Sequence, residues 1–424
     1  MRLPGLAGQA LGVAAVHRYS HKMDRADVII LGGGLVGLTL AIALDRHGVS
    51  SIIVDPADPE KVVAPAFDGR ATAIASASWR MLEAIGVTER LAEHGCPIRA
   101  IRVTEGLEPG GILFDPPAGD DPLGIMVENR LLRGALLEEA KACANVTLLM
   151  PGRAAEVVRD ANGVRVALDD GRAIAAALLV GAEGRGSPTR EAARIPVARW
   201  RYDHTAIIAT VDHEHLHENT AYEIFYPTGP FAILPMLPGT RSAIVWSVPS
   251  ASAAATLALP DRAMAAEIEK RMGGFLGQIR LAGPRASYPL GFHHAATITS
   301  ERLALVGDAA HGIHPIAGQG LNLGFRDAAA LAQVLVEGAR LGLDLGDAQL
   351  LARYGRWRSL DTFMVAAATD GLTRLFGVPG RTASAVRRFG MGLVQRTGPL
   401  KNLFMAEARG ESGELPLLLR GLPI

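Results

Sequence analysis

The chain has 424 residues, 49% of them hydrophobic, and sets 43 Lys and Arg against 43 Asp and Glu. The balanced charge gives no support to nucleic-acid binding. No run approaches the ~18 apolar residues of a spanning helix, and the two lone cysteines, Cys96 and Cys143, suit a reducing, cytoplasmic compartment rather than a disulfide scaffold.

Residues 1–23 stand apart from the rest of the chain. The first 22 hold Arg2, Arg18 and Lys22, no acid, and a short apolar patch at 11–16 followed by His17 and Arg18. That patch is too short for a secretory signal. The acid-free character suits an organelle targeting peptide, and an overextended start with Met23 as the initiator is the simpler account. These residues are treated as an N-terminal extension outside the fold.

Folded structure begins with Asp27-Val-Ile-Ile-Leu31, a β-branched apolar run that reads as a strand buried on both faces. Gly32-Gly-Gly-Leu-Val-Gly37 follows at once and opens a helix expected over 38–45. Gly32 permits a tight turn, Gly34 lets a pyrophosphate approach the main chain, and Gly37 allows helix and strand to pack closely. The free N–H groups and dipole of that helix start favour an anion. A second strand, 51–54, ends in Asp55, near the offset at which an acid takes ribose hydroxyls. The fingerprint serves NAD and FAD alike. No second copy of it follows a strand, and no closely spaced cysteine pair supports a disulfide reductase. A flavoprotein that meets its reductant transiently remains.

Helical spacing is expected over 71–85 and 130–143, and strands over 98–103, 153–158, 164–168, 173–180, 206–211 and 243–248. Gly181-Ala-Glu-Gly184 closes one of them. The alternate histidines His213, His215 and His217 lie among Asp212 and Glu214 and read as a solvated loop. The segment 222–237, with Trp246 after it, supplies apolar side chains for a dry chamber, although Phe225, Phe231, Ile233 and Met236 read equally well as sheet core. Near 301–306 a third buried-strand pattern stops at Gly307-Asp308, placing a carboxylate at a strand end, and an Ala/Leu-rich helix is expected over 321–338. The start of that helix would face the flavin N1 and C2 carbonyl and stabilise negative charge on the reduced ring. His311 and His314 lack a third ligand of suitable spacing, so no metal site is assigned. A hydrogen-bonding role is the plain reading of each, and proton movement near the flavin the sharper one.

At these residues the chain resembles the aromatic-ring hydroxylases of ubiquinone biosynthesis, single-component FAD monooxygenases with the p-hydroxybenzoate hydroxylase fold. The matching stretches are Phe67-Asp-Gly-Arg-Ala-Thr-Ala73, Glu128-Asn-Arg-Leu-Leu-Arg133, Leu179-Val-Gly-Ala-Glu-Gly-Arg-Gly-Ser187 with Arg190, residues 226–238 and residues 305–327. The resemblance implies an α/β protein: a Rossmann-type FAD-binding domain with an interleaved mixed-sheet substrate domain and C-terminal helices. Its segments would be 24–97, 119–197 and 297–345 for the FAD domain, 98–118 and 198–296 for the substrate domain, and 346–424 for the helical region. Fingerprint and resemblance together give cofactor contacts at Gly32, Gly34, Leu35, Val36, Gly37, Asp55, Arg70, Arg130, Glu183, Asp308, Gly318, Gly320, Leu321 and Asn322. Arg70 and Arg130 would lie along the flavin, Asp308 on the ribityl chain, Glu183 near the pyrophosphate, and His314 and Pro315 beside the ring. Where the family has Gly-Ala-Asp-Gly this chain has Glu183, whose extra methylene must be absorbed by a backbone shift or a rotamer change.

Reduced flavin activates O2 as a C4a-hydroperoxide and the cofactor carries the difficult step, so no side chain is assigned as catalytic. The protein must orient the ring and exclude water. The resemblance implies an NAD(P)H- and O2-dependent monooxygenase that hydroxylates a polyprenylated phenol in ubiquinone biosynthesis. The alternatives are a monooxygenase of a small soluble phenol, a non-catalytic prenyl-binding protein of the same fold, and a flavin-dependent prenyl-chain reductase. Between Arg353 and Arg409 cations outnumber acids and mix with Leu372, Leu375, Phe376, Phe389, Met391, Leu393, Phe404 and Met405. That mixture suits peripheral contact with the inner face of an anionic membrane, where a lipophilic substrate resides, as well as a helical cap on the FAD domain. Membership of a ubiquinone-biosynthesis complex also follows from the resemblance.

Overall fold

The computed structural model describes residues 24–64, 70–312, 319–359 and 381–424, without the side chains of 319, 381–386, 388 and 389. His314, Pro315 and Gly318 lie outside the described residues, as do Phe67, Leu372, Leu375 and Phe376, and so does the extension at 1–23.

Its centre is a sheet in the order Leu303–Leu305, Leu178–Gly181, Val28–Leu31, Ser51–Val54, Val146–Leu149, all parallel, with Thr299–Ser300 antiparallel at one edge. Parallel neighbours need long crossovers, and the first of these carries helix Leu35–Asp45. That helix packs against the long helix Gln319–Arg340. The four strands from Leu303–Leu305 to Ser51–Val54 are buried throughout, which is why they read as unbroken apolar runs.

An antiparallel meander of Ala154–Asp160, Gly163–Leu168 and Ala173–Ala176 is extended by Asp24–Arg25. The single strand expected over 173–180 is in fact two. It breaks at Ala177, whose N–H donates to the Asp27 carbonyl at 3.1 Å, so one apolar run serves two sheets. The helix expected over 71–85 likewise divides into strand Ala71–Ala75, paired antiparallel with Gly124–Glu128, and helix Ser76–Ala84. Cross-strand pairing overrides helical spacing there.

The largest sheet runs in the order His311–Gly312, Ala286–Ala295, Val197–His213, Arg241–Pro249, Gly229–Met236, Thr220–Tyr226, Ala100–Glu105, Ile112–Phe114. Its two faces are separated by strict alternation. On one, Ile207, Ile224, Phe231, Ile233, Ile244 and Trp246 pack with Met264, Ile268 and Met272 of helix Asp261–Met272 into a compact core. The other face turns toward the nucleotide-type sheet. Helices Arg381–Arg396 and Gly398–Ala408 sit on the last strand of this sheet. Met391 joins Ile112 and Phe114 in a small core, the Phe114 and Phe404 rings lie 6.3 Å apart, and Gln395 accepts the Leu113 N–H at 2.9 Å.

The histidine run corrects an expectation. His213 and His217 are buried rather than solvated. His213 bonds the His215 carbonyl at 2.7 Å and the Ser242 hydroxyl at 2.9 Å, while His217 bonds the Met236 carbonyl at 2.8 Å and accepts from Asn219 N–H at 3.0 Å. Burial pushes the His213 ring below its usual range. Two imidazoles therefore tie the strand ends together, and only His215 faces solvent.

Candidate active site

The site starts where strand Val28–Leu31 becomes helix Leu35–Asp45. Gly32 has φ +111°, and a Cβ there would meet the Ala182 carbonyl at 2.4 Å. At Gly37 a Cβ would fall 2.0 Å from the Gly32 carbonyl oxygen, so any side chain would force helix and turn apart. Gly34, the residue before the helix, is different. A Cβ there would meet nothing within 4 Å, and no side chain caps the helix start. Backbone N–H groups at a helix start left open to a cleft suit an anion such as pyrophosphate.

Asp55, at the end of the adjacent strand, accepts from Gly33 N–H and from Ala57 N–H, each at 2.7 Å. Each carboxylate oxygen has one such bond, which leaves two acceptor positions for hydroxyls. Asp308 stands in the short turn Gly307–Ala309 at the end of strand Leu303–Leu305, and its carboxylate meets the Arg185 guanidinium at 3.3 Å. Gly34, Leu35, Val36, Gly184, Gly307, Asp308, Gly320 and Leu321 all open onto one cleft.

Behind these loops lies a buried polar frame. Arg190 is almost wholly enclosed and donates to the Ala309 carbonyl and to the Arg185 carbonyl, both at 2.8 Å, so one guanidinium joins the second glycine segment to the third. Asp327, on the long helix, accepts from Gly307 N–H at 2.9 Å and is bonded by His311 and Arg358, each at 2.7 Å. Burial alone would raise the Asp327 carboxyl. Its interactions and hydrogen bonds with His311 and Arg358 outweigh it and hold the group below the usual carboxylate range. His293 adds a bond of 2.7 Å to the Asp308 carbonyl. The backbone turn carrying Asp308 is thus fixed from three sides.

The cleft has a volume of 720 Å³ and continues from the loops to the free face of the large sheet. Ala206 and Ile208, then Pro230, Ala232 and Leu234, then Ala243, Val245 and Ser247 line it, each set alternating with core residues of the opposite face. Glu223 is the one acid of this wall. Arg70 enters from the side, with its guanidinium 5.4 Å from the Tyr288 ring centre.

Several expected contact residues face elsewhere. Arg130 pairs with Glu128 at 2.8 Å, and Arg133, one turn later on the same helix, lines the cleft instead. Glu183 turns into its own loop, where it accepts from Ser187 hydroxyl at 2.8 Å and is bonded by Thr189. Its longer side chain is accommodated by these bonds at the start of helix Pro188–Ala192, whose cap is Ser187, and Gly184 and Arg185 reach the cleft instead. Asn322 is buried, accepting from Ala75 N–H and donating to the Ala73 carbonyl at 2.9 Å each, and so anchors the long helix to a strand. Sequence reasoning gave no role to Arg133, Arg185, Arg190, Glu223 or Asp327. Alternation along 229–236 and 241–249 is the signal that separates cleft from core and would have found Ala232, Leu234, Ala243 and Val245.

Among the described residues no cluster of three or more His, Cys, Asp or Glu is placed to hold a metal. The loops fit a dinucleotide: a helix start open beyond Gly34, a strand-end acid with spare acceptors, and a second strand-end acid along the same cleft. Comparison with known proteins agrees. The FAD binding domain family matches residues 25–362. Ubiquinone hydroxylase UbiL of Rhodospirillum rubrum is 48% identical over 100% of this chain and 100% of its own, and the 3-demethoxyubiquinol 3-hydroxylase of Escherichia coli is 34% identical over 91% of this chain and 98% of its own. Among solved structures, p-nitrophenol 4-monooxygenase PnpA from Pseudomonas putida has a TM-score of 0.76 at 17% identity, covering 92% of this chain and 100% of that one, a likeness of fold. Glycine turns, strand-end acids and full-length relatedness converge: this chain is a member of the FAD-dependent monooxygenase family that includes the ubiquinone-biosynthesis hydroxylases.

Proposed function

We propose that the protein hydroxylates the aromatic ring of a polyprenylated phenol in ubiquinone biosynthesis, with FAD as its cofactor and NAD(P)H and O2 as co-substrates. The observation that carries this reading is the relatedness to a ubiquinone hydroxylase along the entire length of both chains. Identity of that extent covers the substrate sheet as well as the nucleotide loops. The cleft supports it physically, because one continuous space joins the glycine loops to an apolar wall.

Bound FAD, once reduced, supplies an electrophilic oxygen taken from O2. The residues of this chain provide the surroundings. Helix N–H groups beyond Gly34 would hold the pyrophosphate, Asp55 the ribose and Asp308 the ribityl hydroxyls. Arg70, Arg133 and Arg185 bring positive charge to the cleft, where it favours anionic groups of the bound nucleotide. Ala232, Leu234, Ala243 and Val245 keep water from the reacting ring.

Peripheral contact with an anionic membrane belongs to the same proposal. Leu393 and Leu403 are 52% and 62% exposed on the two C-terminal helices, with Phe404 and Arg396 also at the surface. Exposed apolar residues beside cations suit an interface at which a lipophilic phenol is collected.

Quinone profiling of a deletion strain tests the function. The expected result is loss of ubiquinone with accumulation of a prenylated intermediate lacking one ring hydroxyl, restored by the intact gene. Unchanged ubiquinone, or turnover of hydrophilic phenols alone by the purified flavoprotein, would overturn the proposed substrate.

A further inference from the structure

Glu223 is out of place on the wall it belongs to. Its strand, Thr220–Tyr226, pairs it with Val103 on one side and Ala232 on the other, and apart from Pro230 and Ser247 the sheet wall around it is made of Ala, Val, Leu and Ile. No hydrogen bond or ion pair reaches its carboxyl among the described residues. The group is enclosed by protein except where it meets the cleft, and that burial pushes it up to about 7. An acid in such a setting costs stability unless something in the cleft uses it.

Among the described residues, the other charged and titratable groups lining the cleft are Arg70, Arg133, Arg185, Asp308 and Tyr288. On the neighbouring strand, Arg102 influences Tyr222 rather than Glu223. Burial therefore governs Glu223, and among the described residues no hydrogen-bond or ion-pair partner of the carboxylate competes with a substrate.

Resting on the monooxygenase reading above, we infer that Glu223 is the acid–base residue that accepts the phenolic proton of the substrate. The O–H bond of the phenol breaks, its electron pair stays on the phenolic oxygen, and the proton forms an O–H bond on the Glu223 carboxylate. The ring becomes more electron-rich and so a better target for electrophilic oxygen. At the ring carbon bearing the new oxygen the C–H bond then breaks, its electron pair restores the aromatic ring and its proton leaves to solvent, after which the proton held on Glu223 returns to the phenolate oxygen of the product. No further oxidant or reductant enters these steps. A group titrating near neutrality is suited to both directions of transfer.

The test uses the FAD-loaded full chain, its Glu223→Gln and Glu223→Asp variants, and a short-chain prenylphenol as probe. For the parent, kcat/KM should rise with pH through a break near 7, and the bound probe should show the ultraviolet difference spectrum of a phenolate above it. In Glu223→Gln the break and the phenolate signature should vanish and turnover should fall roughly 100-fold, with flavin absorbance retained and NAD(P)H oxidation diverted to hydrogen peroxide. Glu223→Asp should restore part of both signals. A Gln variant with the parental rate and pH profile would overturn the role of Glu223 and leave the monooxygenase reading standing. A parent that binds the probe as phenolate, loses that signature in Glu223→Gln, yet hydroxylates nothing would support Glu223 as the proton acceptor and sink the hydroxylase reading instead.

Discussion

Asp327 illustrates how much of this site is held by residues that face no ligand. It is completely buried, and its carboxylate is shared among Gly307 N–H, His311 and Arg358. Asp327→Asn removes the charge while leaving His311 and Arg358 in place, which should lower stability by about 3 kcal/mol, since breaking one member of a buried ion pair strands the other. The pH dependence follows from the direction of the shift. A carboxyl held below its unfolded range contributes stability above that range and loses it as pH falls through the folded value. Thermal melts should therefore show a gap between parent and variant that is full near neutrality and narrows below about pH 4. A gap that widens on acidification would contradict the assignment. Asp308 was legible in the sequence because it follows a buried strand and a glycine. Asp327 was not, because nothing in a helical sequence reveals that one of its acids reaches a turn 20 residues upstream.

Among elements, the nucleotide strands were the most legible, since full burial writes an uninterrupted apolar run into the chain. Two elements misled for a related reason. The run at 173–180 is apolar throughout although it crosses between sheets at Ala177, and the Ala/Thr stretch at 71–75 carries little pattern of its own until it pairs with Gly124–Glu128. The buried histidines at 213 and 217 could not be told from a solvated loop, because their partners, Ser242 and the Met236 carbonyl, are distant in sequence. At the C-terminus, helix Gly398–Ala408 is tied down by Lys401 to Asp115 at 2.7 Å while Leu403 points away into solvent. Leu393→Glu with Leu403→Glu should weaken binding to phosphatidylglycerol vesicles, read by co-sedimentation, roughly 100-fold, on the loss of ~1.5 kcal/mol of apolar contact per side chain. Flavin content should not change. Equal sedimentation of parent and variant would remove these helices from the membrane proposal.

For the whole molecule, the decisive arrangement is a cleft between a largely parallel sheet that ends in glycine turns and a mixed sheet that presents small apolar side chains. Ala243 lies on that wall and its neighbour Ile244 on the opposite one. Ala243→Phe should raise KM for a prenylphenol roughly tenfold, about 1.4 kcal/mol, by occupying space in the cleft, and should shift the Tm by less than about 3 °C. Failure of the protein to bind FAD would show instead that Ala243 supports the fold.

The alternation of those strands has an evolutionary corollary. Neighbouring positions carry different duties, one shaping the space a guest meets and the next preserving the architecture, so an exchange at the first can leave the second untouched. A lineage built this way can acquire a new aromatic preference by a handful of exchanges at every other position, without passing through an unfolded ancestor.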